Sequence, residues 1–415
     1  MSNTTLTADV VAKMALAVLD NNIGVVGKMH RAYEDEFTEK VNGYKKGQSI
    51  SIRRPADFTV RSGATMNVQD VIEGKVTLTV DQQIGVDFQF SSTDMTLSVS
   101  DLTERVIEPA MTNIINYMAN DVLTEMYKGL YNWAGTPGQT INSFADFGKG
   151  PERLDEMAVP TSGRLAVLSP ADHWALLGSQ TGLYMQDVAK GAYRDASLGM
   201  IGGVDMYMSQ VTPTHTAGTR DNTTPLTDGN SQEVTYDTAK NTWTQTLITD
   251  GHDSAATITA GDVFTIDGVY MVNPKTKTST GILQNFVVTT AVTAHATTTS
   301  DTNLTISPPI IVTGPHQTVT YSGNFDGRTI TFFGTASTAY KQNMVFHKNT
   351  MALACVPLEM PQGAVNGSRK EHKGWSVRVI PVYDGVNDVS KWRLDMLYGR
   401  KLIDPRLGTR LSGSA

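Results

Sequence analysis

The strongest alternation of apolar and polar positions lies between residues 73 and 90, which read EGKVTLTVDQQIGVDFQF. The large apolar residues of this stretch all occupy even positions: Val76, Leu78, Val80, Ile84, Val86, Phe88 and Phe90. Because successive side chains of a strand point to opposite faces, this parity predicts either one long strand or two strands in line, with one face buried. A single strand would be about 50 Å long, which is unusual where strands average about 5–6 residues.

A shorter alternation precedes it in residues 47–63, which read GQSISIRRPADFTVRSG. Apolar residues take the even positions and two arginines take odd ones: Ile50, Ile52, Phe58 and Val60 against Arg53 and Arg61. Pro55 separates the two halves, and proline has no N–H to donate to a sheet ladder. The pattern therefore predicts an exposed two-stranded flap, which buries too little by itself to offset the entropy of ordering it.

Helical spacing of apolar residues first occurs in residues 7–20, TADVVAKMALAVLD, after a Thr7 N-cap. This helix could belong to the core or dock on another surface. A further helix is predicted after Ser169, with Pro170 at its first position, directly behind the short buried strand RLAVL of residues 164–168.

The longest predicted helix covers residues 101–131 and opens with Asp101 and Glu104 at capping-box spacing. Apolar residues then repeat every three or four positions: Ile107, Met111, Ile114, Met118, Val122, Met126 and Leu130. Pro109 should kink this helix or mark a break near its first turns. An uninterrupted helix of this length would act as a strut.

The composition changes between residues 213 and 340, where Thr, Asn, Gly and Asp dominate and helix formers are scarce. Short alternating runs such as VFTIDGVYMV and NLTISPPIIV predict strands separated by turns, the pattern of a small barrel or a sandwich. Mixed helical and strand patterns resume at residue 343, NMVFHKNTMALACVPLEM. The β-rich stretch is therefore predicted to be a domain inserted into another domain.

The composition of the chain excludes several classes of protein. The net charge is −7, from 34 basic and 41 acidic residues, and no long basic run provides the electrostatic footprint of a nucleic-acid binder. No apolar run reaches about 20 residues, so we expect no membrane span, and the first residues do not resemble a secretory signal. The single cysteine, Cys355, excludes a disulfide within the chain, fits a reducing cytoplasm and is expected to be a buried small side chain.

Catalytic and metal-binding motifs are absent from the sequence. There is no nucleophile elbow, Walker loop, zinc-protease motif or dinucleotide fingerprint. His252, between Asp250 and Asp253 in TDGHDS, is the most suggestive position for a cation, but a polar turn explains it better because no bidentate acid follows. We therefore predict no enzyme, no cofactor and no metal site.

The order of these elements resembles the major coat proteins of short-tailed bacteriophages of the P22 type. The stretches that carry the resemblance are GQSISIRRPADFTVRSG, EGKVTLTVDQQIGVDFQFSSTDMTL and the helix after it, RLAVLSPADHWALL, GDVFTIDGVYMVNPKT and the terminal LYGRKLIDPRLGTRLSG. The resemblance implies an α+β chain with the Hong Kong-type phage capsid fold and an added small β-barrel domain.

The same resemblance implies a domain organisation. It assigns 1–32 to an N-terminal arm, 33–95 to an extended loop (about 44–80) and a peripheral-domain strand, 96–135 to a spine helix, 136–212 to the first part of an axial domain, 213–340 to an inserted β-barrel domain, and 341–415 to the return through the axial and peripheral domains and the C-terminal segment.

The function implied is that of a major capsid protein, which assembles with a scaffolding protein and a portal into an icosahedral shell of hexamers and pentamers. The shell would enclose the phage double-stranded DNA without binding it specifically, in a virion assembled in the host cytoplasm. A net charge of −7 suits a container that should not hold DNA to its wall.

The extended loop is expected to lie across a neighbouring subunit, with Arg53, Arg54, Phe58 and Arg61 as inter-subunit residues. Arginine can make forked contacts with carboxylates there. We also expect residues 44–80 and 101–131 to be too elongated to be satisfied inside one molecule. The alternatives are a β-rich surface-binding or decoration protein, an encapsulin-type cargo shell, and a hydrolase with a dispersed active site, the last disfavoured by the absence of motifs.

Overall fold

The computed structural model describes residues 8–32, 48–66, 68–91, 103–180, 198–220, 224–361, 363–364 and 366–414. Among these residues the α-helices are α1 (Ala8–Asn22), α2 (Glu108–Gly129), α3 (Phe144–Glu156), α4 (Pro170–Gln180) and α5 (Tyr236–Ala239). A π-helical turn covers Thr103–Ile107, and 3-10 turns cover Gly24–Lys28, Lys348–Thr350 and Pro405–Leu407.

The strands of the first half are β1 (Gln48–Arg53), β2 (Lys75–Ser91), β3 (Trp133–Ala134), β4 (Arg164–Leu168), β5 (Met200–Ile201), β6 (Val204–Met208), β7 (Thr214–Thr216), β8 (Leu226–Thr227), β9 (Gln245–Asp250), β10 (Thr257–Ile258), β11 (Val263–Val272) and β12 (Ser279–Val288). The others are β13 (Val292–Thr293), β14 (Thr302–Ser307), β15 (Val319–Thr320), β16 (Ile330–Phe332), β17 (Ala339–Lys341), β18 (Asn343–His347), β19 (Met351–Val356), β20 (Ser368–His372), β21 (Trp375–Asp384), β22 (Val389–Leu402) and β23 (Gly408–Leu411).

The long alternation forms one continuous strand, β2, which decides between the two predicted possibilities. It pairs antiparallel with β22 from Gln82 opposite Tyr398 to Ser91 opposite Val389. The even-numbered Val76, Leu78 and Val80 are buried, as their parity predicts.

The long helical pattern is confirmed, with a break where proline requires one. The α-helical part begins at Glu108, so Pro109 occupies its second position, and a π-helical turn precedes it. The repeating apolar residues Ile107 to Leu130 are at most 3% exposed within the single chain. The expectation that residues 101–131 are not satisfied inside one molecule is therefore wrong for the described part of this helix. Asp101, predicted to cap it, lies outside the described residues.

The chain divides into two compact units. The first contains the described residues of segments 1–52, 77–122 and 351–401. Its six-stranded sheet has the order β1-β2-β22-β21-β20, with β19 also paired to β22. Helix α1, predicted from its periodicity, packs its apolar face on β20 and β21 of its own chain, so it belongs to the core of this unit.

The second unit contains the described residues of segments 53–76, 123–350 and 402–415. One of its sheets has the order β3-β23-β18-β4-β6-β5. Strand β4 is buried throughout, and α4 after it is capped by Ser169, whose Oγ accepts from Asp172 N at 3.3 Å, as the sequence predicts. The chain leaves this sheet after β6 and returns to it at β18.

Between these two points strands of the β-rich residues form one sheet whose two ends are joined, and we call this sheet the barrel. The strands follow the order β16-β11-β12-β14-β9-β8, with β15 also on β11. A β-bridge between Leu226 of β8 and Thr329, next to β16, joins the two ends of this sheet. Thr227 N also donates to Arg328 O there, at 2.9 Å. The interior is filled by aliphatic and aromatic side chains, among them Leu247, Phe264, Phe286, Leu304 and Ile306. The chain leaves and returns through the antiparallel pair β7–β17. The six predicted segment boundaries, including a separate domain at 213–340, stay predictions.

Candidate functional site

Residues 53–76 form a loop between β1 and β2, and they cluster with the second unit. Only its first residue belongs to β1 and its last two to β2; the described residues between them, 54–66 and 68–74, are irregular. The second strand predicted around Phe58 and Val60 is therefore not formed. These residues lie within the range of about 44–80 predicted for the extended loop, and we keep the name extended loop for 53–76 alone.

We call the part of the extended loop that leaves β1 its first leg and the part that leads into β2 its returning leg. Arg54 fixes the first leg. This side chain is 7% exposed, and its Nε donates to Ile403 O at 3.0 Å and its Nη1 to Lys240 O at 3.4 Å. Its guanidinium carbon lies 5.8 Å from the centre of the Trp243 ring. Burial lowers the pKa of Arg54, but the two carbonyl contacts give the buried cation partners on its own chain.

Asp57 makes the next contact, with two lysines of the turn between β11 and β12. Its carboxylate oxygens lie 3.5 Å from Lys275 Nζ and 3.5 Å from Lys277 Nζ. Partial burial opposes ionisation of Asp57, yet the charges of Lys277 and Lys275 outweigh it and hold the pKa of this carboxyl below its ordinary value. The carboxylate is therefore charged at neutral pH and paired.

The returning leg is held at Gly74 and Lys75. Gly74 O accepts from Arg54 N at 2.8 Å, which ties the two legs together. A side chain at Gly74 would be impossible without movement, because its first carbon would stand 2.2 Å from Lys240 O. Lys75 N donates to Asn241 Oδ1 at 3.1 Å.

Side-chain hydrogen bonds replace the missing strand pairing farther out. Gln69 Oε1 accepts from Thr59 N at 2.8 Å, and Gln69 Nε2 donates to Thr59 O at 2.7 Å. At the tip, Arg61 Nη1 donates to Thr65 O at 3.0 Å and also to Gly63 O. Gly63 has a positive φ of 104°, which allows the chain to reverse.

The outer part of the extended loop exposes apolar side chains. We call Phe58, Val60, Met66, Val68 and Val71 the crest; they are 52%, 99%, 77%, 74% and 66% exposed. Single apolar residues on a surface are ordinary, but five exposed ones on one loop are unusual, which makes the crest the candidate site.

The four predicted site residues have different environments. Arg53 is exposed and forms a loose pair with Glu73, 3.3 Å between Nη1 and Oε2. Phe58 belongs to the crest, and Arg61 is exposed, although part of its guanidinium binds the loop's own carbonyls. Arg54 differs from expectation: it is buried against its own chain and is not available at the surface of the described structure.

Sequence reasoning missed Met66, Val68 and Val71, because it looked for strand parity and these residues lie in irregular chain. Their signal was four large apolar residues, Met66, Val68, Val71 and Ile72, among glycines and polar residues, with no periodicity to bury them. It also missed Asp57 and its two lysines, whose meeting depends on a turn about 220 residues later in the chain.

The part of the chain that the structure describes contains no group of three or more His, Cys, Asp or Glu residues placed to hold a metal ion. His252 is buried, and its Nε2 lies 2.9 Å from Thr249 Oγ1. Within the same ranges, no helix has the length and apolar character needed to cross a membrane. Cys355 is buried, as expected.

Three solved structures illustrate what this chain is similar to. Mycobacterium phage Che8 gives 12% identity and a TM-score of 0.46, covering 93% of this chain and 89% of that one. The mature capsid of bacteriophage PhiM1 gives 11% identity and a TM-score of 0.40, with coverages of 88% and 81%. A virus-like particle from Pyrococcus furiosus gives 8% identity and a TM-score of 0.41, with coverages of 97% and 98%. No curated protein matches the chain.

The family comparison is decisive because it covers almost the whole sequence. The family model described as P22 coat protein, gene protein 5, matches residues 3–413. This confirms the family predicted from the order of the elements and favours a coat protein over a surface-binding protein or a hydrolase. The chain belongs to the P22 coat protein family, and it is a major capsid protein that forms an icosahedral bacteriophage shell.

Proposed function

We propose that the crest of the extended loop docks on a neighbouring copy of this chain in the shell. The single observation that carries this proposal is the contrast within the loop. Its two legs are fixed by Arg54, Asp57, Gly74 and Lys75, whereas the five apolar crest residues remain 52–99% exposed within the described chain.

The energies favour the apolar residues over the arginines as the main source of affinity. Burying an exposed Val, Met or Phe side chain contributes about 1.5–3 kcal/mol. An exposed pair made by Arg53 or Arg61 contributes only ~0–1 kcal/mol. The crest therefore supplies most of the attraction, and Arg53 and Arg61 at its rim help to select the orientation.

A loop of one copy that binds a different surface of the next copy makes a head-to-tail interface. Interfaces of this type close into rings when the rotation between copies closes. Pentamers and hexamers are such rings, and we propose that the shell is built from them.

The remaining parts of the proposal follow from membership of the family. We propose that a scaffolding protein guides assembly in the host cytoplasm, that a portal occupies one position of the shell, and that the shell encloses double-stranded DNA without specific contacts. Its role is proposed to be structural rather than enzymatic.

The test replaces three crest residues together, Phe58→Ser, Val60→Ser and Met66→Ser. We expect closed particles, counted by electron microscopy of the coat protein mixed with its scaffolding protein, to fall at least about tenfold, because each lost apolar contact weakens association by more than ~1 kcal/mol. Circular dichroism and the Tm of the unassembled chain should stay those of the parent.

A matched control replaces exposed apolar residues of the barrel, Ile248→Ser and Tyr270→Ser, which are 37% and 38% exposed. This variant should assemble as the parent does. Normal particles from the crest variant, or a coat protein that stays monomeric under every condition, would contradict the proposal.

A further inference from the structure

The contacts of the extended loop assign a role to the barrel that goes beyond filling space. The contacts described above between the extended loop and the rest of the chain are made by residues 240–277, apart from the one to the Ile403 carbonyl. These residues belong to the segment between α5 and the turn after β11.

The turn that holds Asp57 is itself rigid, so it can act as a fixed support. Asn273 Oδ1 accepts from Lys275 N at 2.9 Å and from Thr276 N at 3.1 Å, and Asn273 Nδ2 donates to Glu156 O at 2.8 Å. Lys277 is only 17% exposed at its side chain and donates to the carbonyl of Pro315. Its ammonium is thereby directed at Asp57.

The second support holds the returning leg through its backbone alone, at Gly74 and Lys75. Gly74 lies flush against Lys240 O, and the Lys75 amide is bound by Asn241. Two supports on the two legs fix the direction of a loop, whereas a single support would leave it free to swing. The two hydrogen bonds between Thr59 and Gln69 then hold the two sides of the loop together next to the crest.

We infer that the barrel is a cradle that aims the extended loop at the neighbouring subunit, with Lys275, Lys277 and Asn241 as positioning residues for assembly. This inference rests on the proposed docking of the crest. It predicts that Lys275, Lys277 and Asn241, which contact the extended loop of their own chain, control how well the shell assembles.

The test uses the full-length chain and two complementary variants, Asp57→Asn and the pair Lys275→Gln with Lys277→Gln. In the unassembled protein, we expect exchange of the Thr59 amide, which donates to Gln69 within the peptide 58–71, to rise about fivefold in each variant, the factor expected from loss of a partly buried ion pair. Because both variants break the same contact, combining them should add little to the effect of either alone.

The matched control neutralises two other lysines, Lys128→Gln with Lys149→Gln, and should leave the exchange of residues 58–71 at the parent's rate. Unchanged exchange in the Asp57 and lysine variants, or fully additive effects in their combination, would overturn the inference. Circular dichroism identifies a variant that fails to fold, in which case the milder Lys277→Arg and Asp57→Glu are used, with smaller changes in the same direction.

Assembly of the same variants separates this inference from the proposed function. We expect the cradle variants to give several-fold fewer closed particles and more irregular ones. Suppose that the crest variant blocks assembly, while the Asp57 and lysine variants loosen the loop but assemble normally. Positioning of the loop by the barrel is then refuted, and docking of the crest stands. If the crest variant itself assembles normally, the proposed docking fails, and with it the assembly role of the barrel.

Discussion

At the scale of single residues, two adjacent arginines show how position decides role. Arg53 is exposed with one loose partner, whereas Arg54 is buried and binds two carbonyls. Successive residues of an extended chain point in opposite directions, so neighbours in sequence meet different surroundings. The sequence could identify both as arginines of the loop, but it could not distinguish them, because the carbonyls that bury Arg54 come from Lys240 and Ile403 in distant segments.

This difference predicts separate outcomes for the two substitutions. Arg54→Ala should destabilise the chain by about 1–3 kcal/mol, because it removes the donor to the part-buried carbonyls of Lys240 and Ile403. Arg53→Ala should change stability by no more than ~0.5 kcal/mol. Urea unfolding of both variants measures this directly. A midpoint for Arg54→Ala equal to that of Arg53→Ala would contradict the assignment of Arg54 to the core.

At the scale of elements, the helices and strands whose sequence has a clear apolar period were predicted correctly, whereas the structure of the irregular loop was not. The period of 3.6 gave α1 and α2, and the parity of β2 gave its buried face, because burial on one side dictates those patterns. The strand expected at Phe58 and Val60 failed, because only the bonds between Thr59 and Gln69 link the two sides of the loop there. Closure of the barrel through Leu226 and Thr329 is a long-range pairing that local patterns do not encode.

Helix α1 gives a prediction for the dependence of an element on pH. Hydrogen bonds from Lys370 and Lys13 lower the pKa of Asp9 from 3.8 to about 2, and Lys373 lowers the pKa of Asp20. A carboxylate with a lowered pKa stabilises the folded chain above its ordinary pKa of 3.8 and loses this effect as the pH falls to about 2.

We therefore expect Asp9→Asn to lower the Tm at pH 5 by about 1–2 °C, the combined effect of its exposed pairs with Lys13 and Lys370. The difference from the parent should be mostly lost near pH 2 and disappear below it, as the parent's carboxyl also becomes protonated. Asp81→Asn, in an exposed position of β2, serves as the control with the same change of charge. A difference in Tm that persists unchanged at pH 2 would mean that the side chain acts through packing rather than charge.

At the scale of the whole molecule, the distribution of charge bears on how a coat protein treats the DNA inside it. The β20–β21 hairpin carries Arg369 and Lys370 on its first strand and Lys373 in its turn. Each of these cations already has a carboxylate partner, at Glu371, Asp9 and Asp20 respectively. A duplex phosphate would have to compete with these partners, in a chain whose net charge is −7.

We accordingly expect the unassembled coat protein to bind a random 20-base-pair duplex no more tightly than about 10⁻⁴ M at physiological salt, the weak end of non-specific binding. Fluorescence anisotropy at several salt concentrations measures this affinity and its salt dependence. Asp9→Asn combined with Asp20→Asn frees Lys370 and Lys373, so this variant should bind more tightly and with a steeper salt dependence. Micromolar binding by the parent would show that basic groups of the chain are free to hold phosphates, and DNA would then be retained by attraction to the shell rather than by enclosure alone.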